Sequence, residues 1–209
     1  MQRIAATAAF LTAAFLLALA SPAGAQDAVR PDAALVQRYL QSTFGKAAPE
    51  WQAKLKPDDT IAACNAARGA PDSKTARAIE AREAARVTLP GDGVYLGDWK
   101  AGAKIANEGR GGQFSDPPGT VSGGNCYACH QLDPAELSYG TLGPSLKGFG
   151  RERRYEAEAA KAAFIKIFDS QAVVACSNMP RFGVNGVLSE QQIKDLVAYL
   201  FDTASPVNK

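Results

Sequence analysis

Residues 126–130 read Cys-Tyr-Ala-Cys-His and place two thiols and the only histidine of a 209-residue chain within five positions. No other stretch narrows so far what this chain can fold around. Three readings compete for it. Cys126 and Cys129 could close a local disulfide, which leaves His130 incidental. The cluster could be half of a zinc site, but zinc ordinarily takes four protein ligands, and a second C-x-x-C or further histidines are absent. Alternatively, the two thiols add across the vinyl groups of a haem to give thioethers, and His130, the next residue, lies beneath the iron and binds it through a ring nitrogen. Unlike the local disulfide, this reading uses His130. At ordinary residue frequencies the pattern arises by chance in roughly one such chain in a thousand. One covalently bound haem c is the expected cofactor.

A haem iron held by one histidine needs a sixth ligand or an open position. The chain has two methionines, Met1 and Met179. Met179 sits in CSNMPRFGVNG, a turn-rich segment and not an apolar helix face. Pro180 disfavours helical backbone at the residue before it, which could hold the Met179 side chain toward a haem. A core gap-filler is the alternative. His/Met ligation belongs to electron transfer, and methionine raises the potential relative to a second histidine. His130 and Met179 are thus the expected metal ligands. A ligating histidine usually donates its other N–H to a carbonyl or carboxylate. In LGPSLKG, Pro144 can supply that carbonyl with no N–H of its own to compete; a simple turn proline is the alternative.

The fold class expected is all-α with much irregular loop, because no stretch alternates as a strand would. Residues 189–201 give the clearest helix. Ser189 and Gln192 fit a capping box, and Ile193, Leu196, Val197, Leu200 and Phe201 recur at helical spacing. Another helix is expected from about Asp98 to Glu108, with Gly102 and Ala106 one turn apart, so that a second helix could approach closely. Residues 154–169 should be helical, with Phe164, Ile167 and Phe168 available to a core. The run from Gly109 to Asn125 is rich in Gly and Pro and reads as a loop.

Residues 26–90 read as a helical, polar-rich extension, and 91–209 as the core domain. In the extension, Leu35, Val36, Tyr39 and Leu40 share one face, Trp51 and Leu55 lie four apart, and Ile61 and Cys64 fall on one side of a helix that begins with acids. SKTARAIEAREAARV, with few large apolar groups, reads as a surface helix. Residues 1–25 have a positive n-region in Arg3, an apolar run from 4 to 20, and small residues at Ala23 and Ala25. This is expected to be a secretory signal peptide cut after Ala25, which makes the location periplasmic. A transmembrane anchor is disfavoured by the short run and the cleavage site after it. Removing Arg3 leaves 22 basic side chains against 21 acidic, a balance that does not suggest a nucleic-acid partner.

The haem motif, the GAKIA segment before it, LGPSLKG, the Met179 loop and IKDLVAYL together resemble the class I cytochrome c family over roughly residues 98–203. That resemblance implies a tight crossing of the first and last helices, Gly102 against Tyr199. Two features depart from the family: Ala106, where an aromatic is common, and the long Gly109–Asn125 insertion. A narrower likeness covers more of the chain. GDWKAGAKIANEGRGG, GGNCYACHQLDPAELSYGTLGPSLKGFG and CSNMPRFG, with the extension's WQAKL, PDDT and Cys64, resemble the SoxX family of periplasmic sulfur-oxidation cytochromes. Such a protein pairs with a SoxA-type cytochrome subunit as a heterodimer. The complex joins thiosulfate oxidatively to a cysteine on the carrier protein SoxYZ and passes electrons to a small cytochrome c. The resemblance implies an electron-transfer subunit of a cysteine S-thiosulfotransferase, with the catalytic cysteine on the partner and none here. A free-standing periplasmic electron carrier is the other function class; the extension and the insertion favour the subunit.

If haem takes Cys126 and Cys129, Cys64 and Cys176 remain. In an oxidising compartment they are expected to form a disulfide, which would clamp the extension to the loop that carries Met179. Two separate thiols or an intermolecular bridge are the alternatives.

Overall fold

The computed structural model describes residues 32–111, 115–117 and 119–209. The expected signal peptide and its cleavage site lie outside the described residues. The chain divides into two compact units, one ending at Ala47 and the other running from Ala48 to Lys209.

The described part of the first unit is helix α1, Ala33–Phe44. Asp32 starts it by accepting the Ala34 N–H at 2.9 Å, an N-cap that satisfies one of the orphan donors of the first turn. No residue of α1 is buried.

The second unit contains α2 (Pro49–Lys54), α3 (Asp59–Ala66), α4 (Ser73–Ala84), α5 (Trp99–Asn107), α6 (Phe149–Glu152), α7 (Ala157–Phe168) and α8 (Glu190–Phe201), with single 3-10 turns at Cys126–Ala128, Ser170–Ala172 and Pro206–Asn208. The described residues contain no strand. Side chains start most of these helices. Asp58 accepts the Ile61 N–H and Asp72 the Thr75 N–H. Ser189 and Gln192 form the expected reciprocal capping box. No helix among the described residues is long and apolar enough to cross a membrane.

The frame is the crossing of α5 and α8. A Cβ at Gly102 would run into the Asp195 carbonyl oxygen and stand 2.9 Å from the Tyr199 Cβ. Only glycine permits this approach, which explains why a residue that weakens helices sits inside one. The start of α5 is tied to α8 twice: Asp98 N–H donates to Asp195 Oδ1 at 2.9 Å, and Gly97 N–H to the Lys194 carbonyl at 3.0 Å. Residues 193–201 of α8 are all buried. Ile193, Leu196, Val197, Tyr199, Leu200 and Phe201 pack with Phe164 and Ile167 of α7 and with Ala106, Leu132, Phe182 and Leu188 in one hydrophobic cluster. Phe164 meets Tyr95 edge-on, and Phe149 meets Phe201 likewise. Near the C-terminus, Asn208 accepts the Gly150 and Arg151 N–H groups and donates to the Leu200 carbonyl. One amide thereby closes the open ends of α6 and α8.

The Ala- and charge-rich segment of the extension is α4, but it is more than a surface helix. Ile79 and Glu83 are both buried, Glu83 completely. The helix packs against the 3-10 turn at Ser170–Ala172, next to the loop that carries Met179.

Candidate functional site

The Cys-Tyr-Ala-Cys-His segment forms a tight turn that begins from Asn125 in a left-handed conformation. Cys129 and His130 N–H groups both donate to the Cys126 carbonyl, at 3.1 and 2.9 Å. The chain then returns alongside the turn. Gly140, Gly143 and Leu146 N–H groups donate to the carbonyls of Tyr127, Cys129 and Gln131, each at 2.8 Å. Gly143 is compelled to be glycine, because a Cβ there would strike the His130 ring. Beside it the Pro144 carbonyl lies 2.7 Å from His130 Nδ1. That bond fixes Nδ1 as the protonated nitrogen, since a carbonyl can only accept, and leaves Nε2 with its lone pair free to ligate.

Cys126 and Cys129 are unbridged thiols. Burial pushes the Cys126 thiol up to about 12, so the neutral form is the one this half-buried position favours. Cys126 and Met179 both pack against the same hydrophobic cluster. Among the described residues, no group of three or more His, Cys, Asp or Glu side chains is placed to hold a metal ion. The donors present fit a haem: two thiols three residues apart, an imidazole oriented by a carbonyl, and a thioether on the same apolar core.

The haem turn is anchored to the helical frame by a contact that sequence reading missed. The hydroxyls of Tyr127 and Tyr199 lie 2.8 Å apart in the interior, and Tyr127 also accepts the Asp133 N–H at 3.1 Å. Burial and the partner hydroxyl raise the Tyr199 phenol well above its ordinary range. Nothing local in the sequence pairs these residues, which lie 72 positions apart.

The Met179 loop is held on both sides. Cys176 is disulfide-bonded to Cys64 of α3, with Cα atoms 5.4 Å apart, so the expected pairing is the one formed. Ser170 Oγ donates to the Met179 carbonyl, and Met179 N–H donates to Ser177 Oγ at 3.2 Å. Two residues on, the nearly buried Arg181 side chain reaches the extension. Its Nη1 lies 3.0 Å from Glu83 Oε2, and its Nη2 lies 2.7 Å from Asp58 Oδ2.

The charges in this cluster are matched. Burial opposes ionisation of Glu83, but hydrogen bonds with Thr60, Asp169 and Arg181 and the charge of Arg86 outweigh it and hold the carboxyl below its usual value. Burial likewise opposes the charge on Arg181 and is outweighed by Asp58 and Glu83. Asp169 goes the other way. Burial, a hydrogen bond with Glu83 and that carboxylate's charge push it up to about 6. Its Oδ1 accepts the Gln171 N–H at 3.0 Å, while Oδ2 has no donor within reach. A proton on Asp169 resolves this, because the neutral acid can then donate to Glu83. Arg181 follows the methionine closely enough to have been suspected from sequence; Glu83, one of several charges in AREAAR, carries no signal that it is buried.

The insertion between α5 and the haem turn folds back on itself where it is described. Gly123 N–H donates to the Arg110 carbonyl at 2.9 Å, Ser122 Oγ donates to the Gly111 carbonyl, and Gln192 Nε2 of the α8 capping box donates to the Ser122 carbonyl.

Residues 100–203 match the family model for cytochrome c. An uncharacterized lipoprotein of Aquifex aeolicus (strain VF5) is 38% identical over 128 residues, which cover 60% of this chain and 59% of that protein. The chain thus spans about three-fifths of the length of the curated relative it matches. The all-α frame, the Cys-x-x-Cys-His turn and the family match agree: residues 100–203 form a cytochrome c domain, of the kind that carries covalently bound haem c.

Proposed function

We propose that this chain is the monohaem electron-transfer subunit of a periplasmic, SoxXA-type thiosulfate-conjugating complex. Cys126 and Cys129 would hold the haem through thioethers, and His130 and Met179 would ligate its iron. Pro144 orients His130. The haem supplies a one-electron couple, and every other task falls to the chain: holding the two ligands, keeping water from the buried face, and presenting a docking surface.

The observation that carries this reading is the bond from Cys64 to Cys176. It joins the extension to the loop of the sulfur ligand, where a simple shuttle needs no extension at all. The likeness of GGNCYACHQLDPAELSYG, LGPSLKGFG and CSNMPRFG to SoxX supports the same conclusion. In the reaction of such a complex, a carrier thiol and thiosulfate give a carrier S-thiosulfonate, one proton and two electrons. The S–H bond breaks and an S–S bond forms; a haem held by this subunit would supply the one-electron couple that takes up the electrons, and a small cytochrome c is the final acceptor. The sulfur chemistry belongs to a cysteine on the SoxA-type partner. SoxYZ is the carrier, and the insertion 109–125 faces the partner.

The test uses the exported, haem-loaded protein with and without a SoxA-type subunit. Thiosulfate should reduce this haem only when that subunit and a carrier thiol are both present, and the two cytochromes should co-purify. Full-rate reduction by thiosulfate with this chain alone, or a chain that purifies and works without a second haem protein, would refute the subunit reading. Met179→Ala should abolish the long-wavelength Fe–S(Met) charge-transfer band. Replacing both Cys126 and Cys129 with Ala should leave no haem on the denatured chain.

A further inference from the structure

We propose that Arg181 is the positioning residue of the sixth haem ligand, and that Asp58 and Glu83 of the extension are the two posts to which it fastens the Met179 loop. This rests on the reading of Met179 as that ligand.

The geometry points to a clamp, not to a stabilising ion pair. Arg181 lies two residues past Met179, with only the stiff Pro180 between them, so a fixed guanidinium fixes the backbone that presents the sulfur. The Arg181 side chain is 7% exposed, and its guanidinium forks between two helices: Asp58 is the N-cap of α3, and Glu83 belongs to α4. Each post is itself immobilised. Asp58 uses its other oxygen to cap Ile61 N–H at 2.9 Å. Glu83 is completely buried and takes further hydrogen bonds from Thr60 and from Arg86 Nη1. A buried ion pair yields little net stability against apolar groups of the same size, because desolvation consumes the attraction. What it does supply is a defined geometry, and arginine's planar fork does this for two carboxylates where lysine's point charge cannot. The Cys64–Cys176 bond lies three residues before Met179 and Arg181 two after it, and both tie to the extension. The segment 48–90 is therefore part of the haem site, although it precedes the haem motif by some forty residues.

If Arg181 acts by holding Met179 in place, loosening it raises the fraction of molecules whose sixth position is open. An exogenous ligand then binds more tightly in proportion to that fraction. The test is imidazole binding to the folded holoprotein, together with the reduction potential and the Fe–S(Met) band. Arg181→Lys keeps the charge and loses the fork; it should bind imidazole about tenfold more tightly or better, with a weaker band and a lower potential. Asp58→Asn keeps the N-cap, since asparagine caps as well as aspartate, and removes one post. It should act in the same direction. This second variant also separates positioning from charge: losing a nearby carboxylate by itself raises a haem potential, whereas loosening the methionine lowers it. In a Met179→Ala background, Arg181→Lys should no longer alter imidazole affinity, because there is no ligand left to position.

Unchanged imidazole affinity in both single variants would overturn the proposal. So would a raised potential in Asp58→Asn without tighter imidazole binding, or an Arg181→Lys effect that persists in the Met179→Ala background. A charge-transfer band that survives Met179→Ala would instead refute the ligand reading itself, which keeps the two failures distinct.

Discussion

Gly102→Ala puts two opposed effects on one position. In an isolated helix the change favours folding by about 1 kcal/mol, through higher helix propensity and a less flexible unfolded chain. Here the new methyl group would overlap the Asp195 carbonyl oxygen and sit 2.6 Å from its carbonyl carbon and 2.9 Å from the Tyr199 Cβ. Ordinary carbon–carbon contact begins near ~3.5 Å, so α5 and α8 must separate by on the order of an ångström. The obstacles are backbone and Cβ atoms, which cannot rotate away. Overpacking of this kind costs about 1–3 kcal/mol. Separation also strains the bonds that tie Gly97 and Asp98 to α8, at 3.0 and 2.9 Å, and the 2.8 Å Tyr127–Tyr199 contact, each contributing about 0.5–1.5 kcal/mol. Net destabilisation of about 2–4 kcal/mol is expected once the propensity gain is subtracted. The assay is urea unfolding of the holoprotein followed by far-ultraviolet circular dichroism and by the haem absorbance. The midpoint should fall with the slope unchanged. Gly91→Ala is the control: a Cβ there meets nothing within 4 Å, so its midpoint should hold or rise slightly. A Gly102→Ala midpoint equal to or above that of the parent would refute the close-crossing argument.

The disulfide spans 112 positions, so chain entropy sets a ceiling of about 5 kcal/mol on its contribution. Cys64→Ser with Cys176→Ser should lower the thermal midpoint, and the Fe–S(Met) band should bleach at a lower temperature than the helical signal. Identical loss of both signals would mean that the bond does not act on the Met179 loop. Asp169 gives a pH prediction. Its folded-state pKa, raised from 3.8 to about 6, contributes stability that is complete below about pH 4 and is lost as the pH climbs through 6. Asp169→Asn removes this penalty while keeping an acceptor for Gln171 and a donor for Glu83. It should be more stable than the parent at pH 7, by no more than about 3 kcal/mol before solvent screening is discounted, and the difference should vanish near pH 4. A variant less stable than the parent at pH 7 would overturn the assignment of the proton to Asp169.

Much of this protein is written in short windows of its sequence. The haem turn needs two thiols and an imidazole within five positions, and no other part of the chain is consulted. The α8 capping box depends on Ser189 and Gln192 alone, and the helical face from Ile193 to Phe201 repeats within three turns. Local chemistry also gave Pro144 as the partner of His130, because a proline carbonyl accepts with no N–H of its own to compete, and the fold brings the two within 2.7 Å. The Cys64–Cys176 bond was legible by a different route: once haem takes two of four cysteines, one pairing is left. Tertiary structure decided the polar contacts between distant partners. Glu83 looks like any surface charge in AREAAR, and it is buried ionised because Thr60 and Arg181, 23 and 98 positions away, join Arg86 around it. Tyr127 and Tyr199 become a pair only after α5 and α8 cross. A helix or a cap is fixed by neighbours within about four residues, so its signal stays local. Burial of a charge or a hydroxyl is favourable only when a partner arrives to compensate desolvation, and that partner is chosen by the fold.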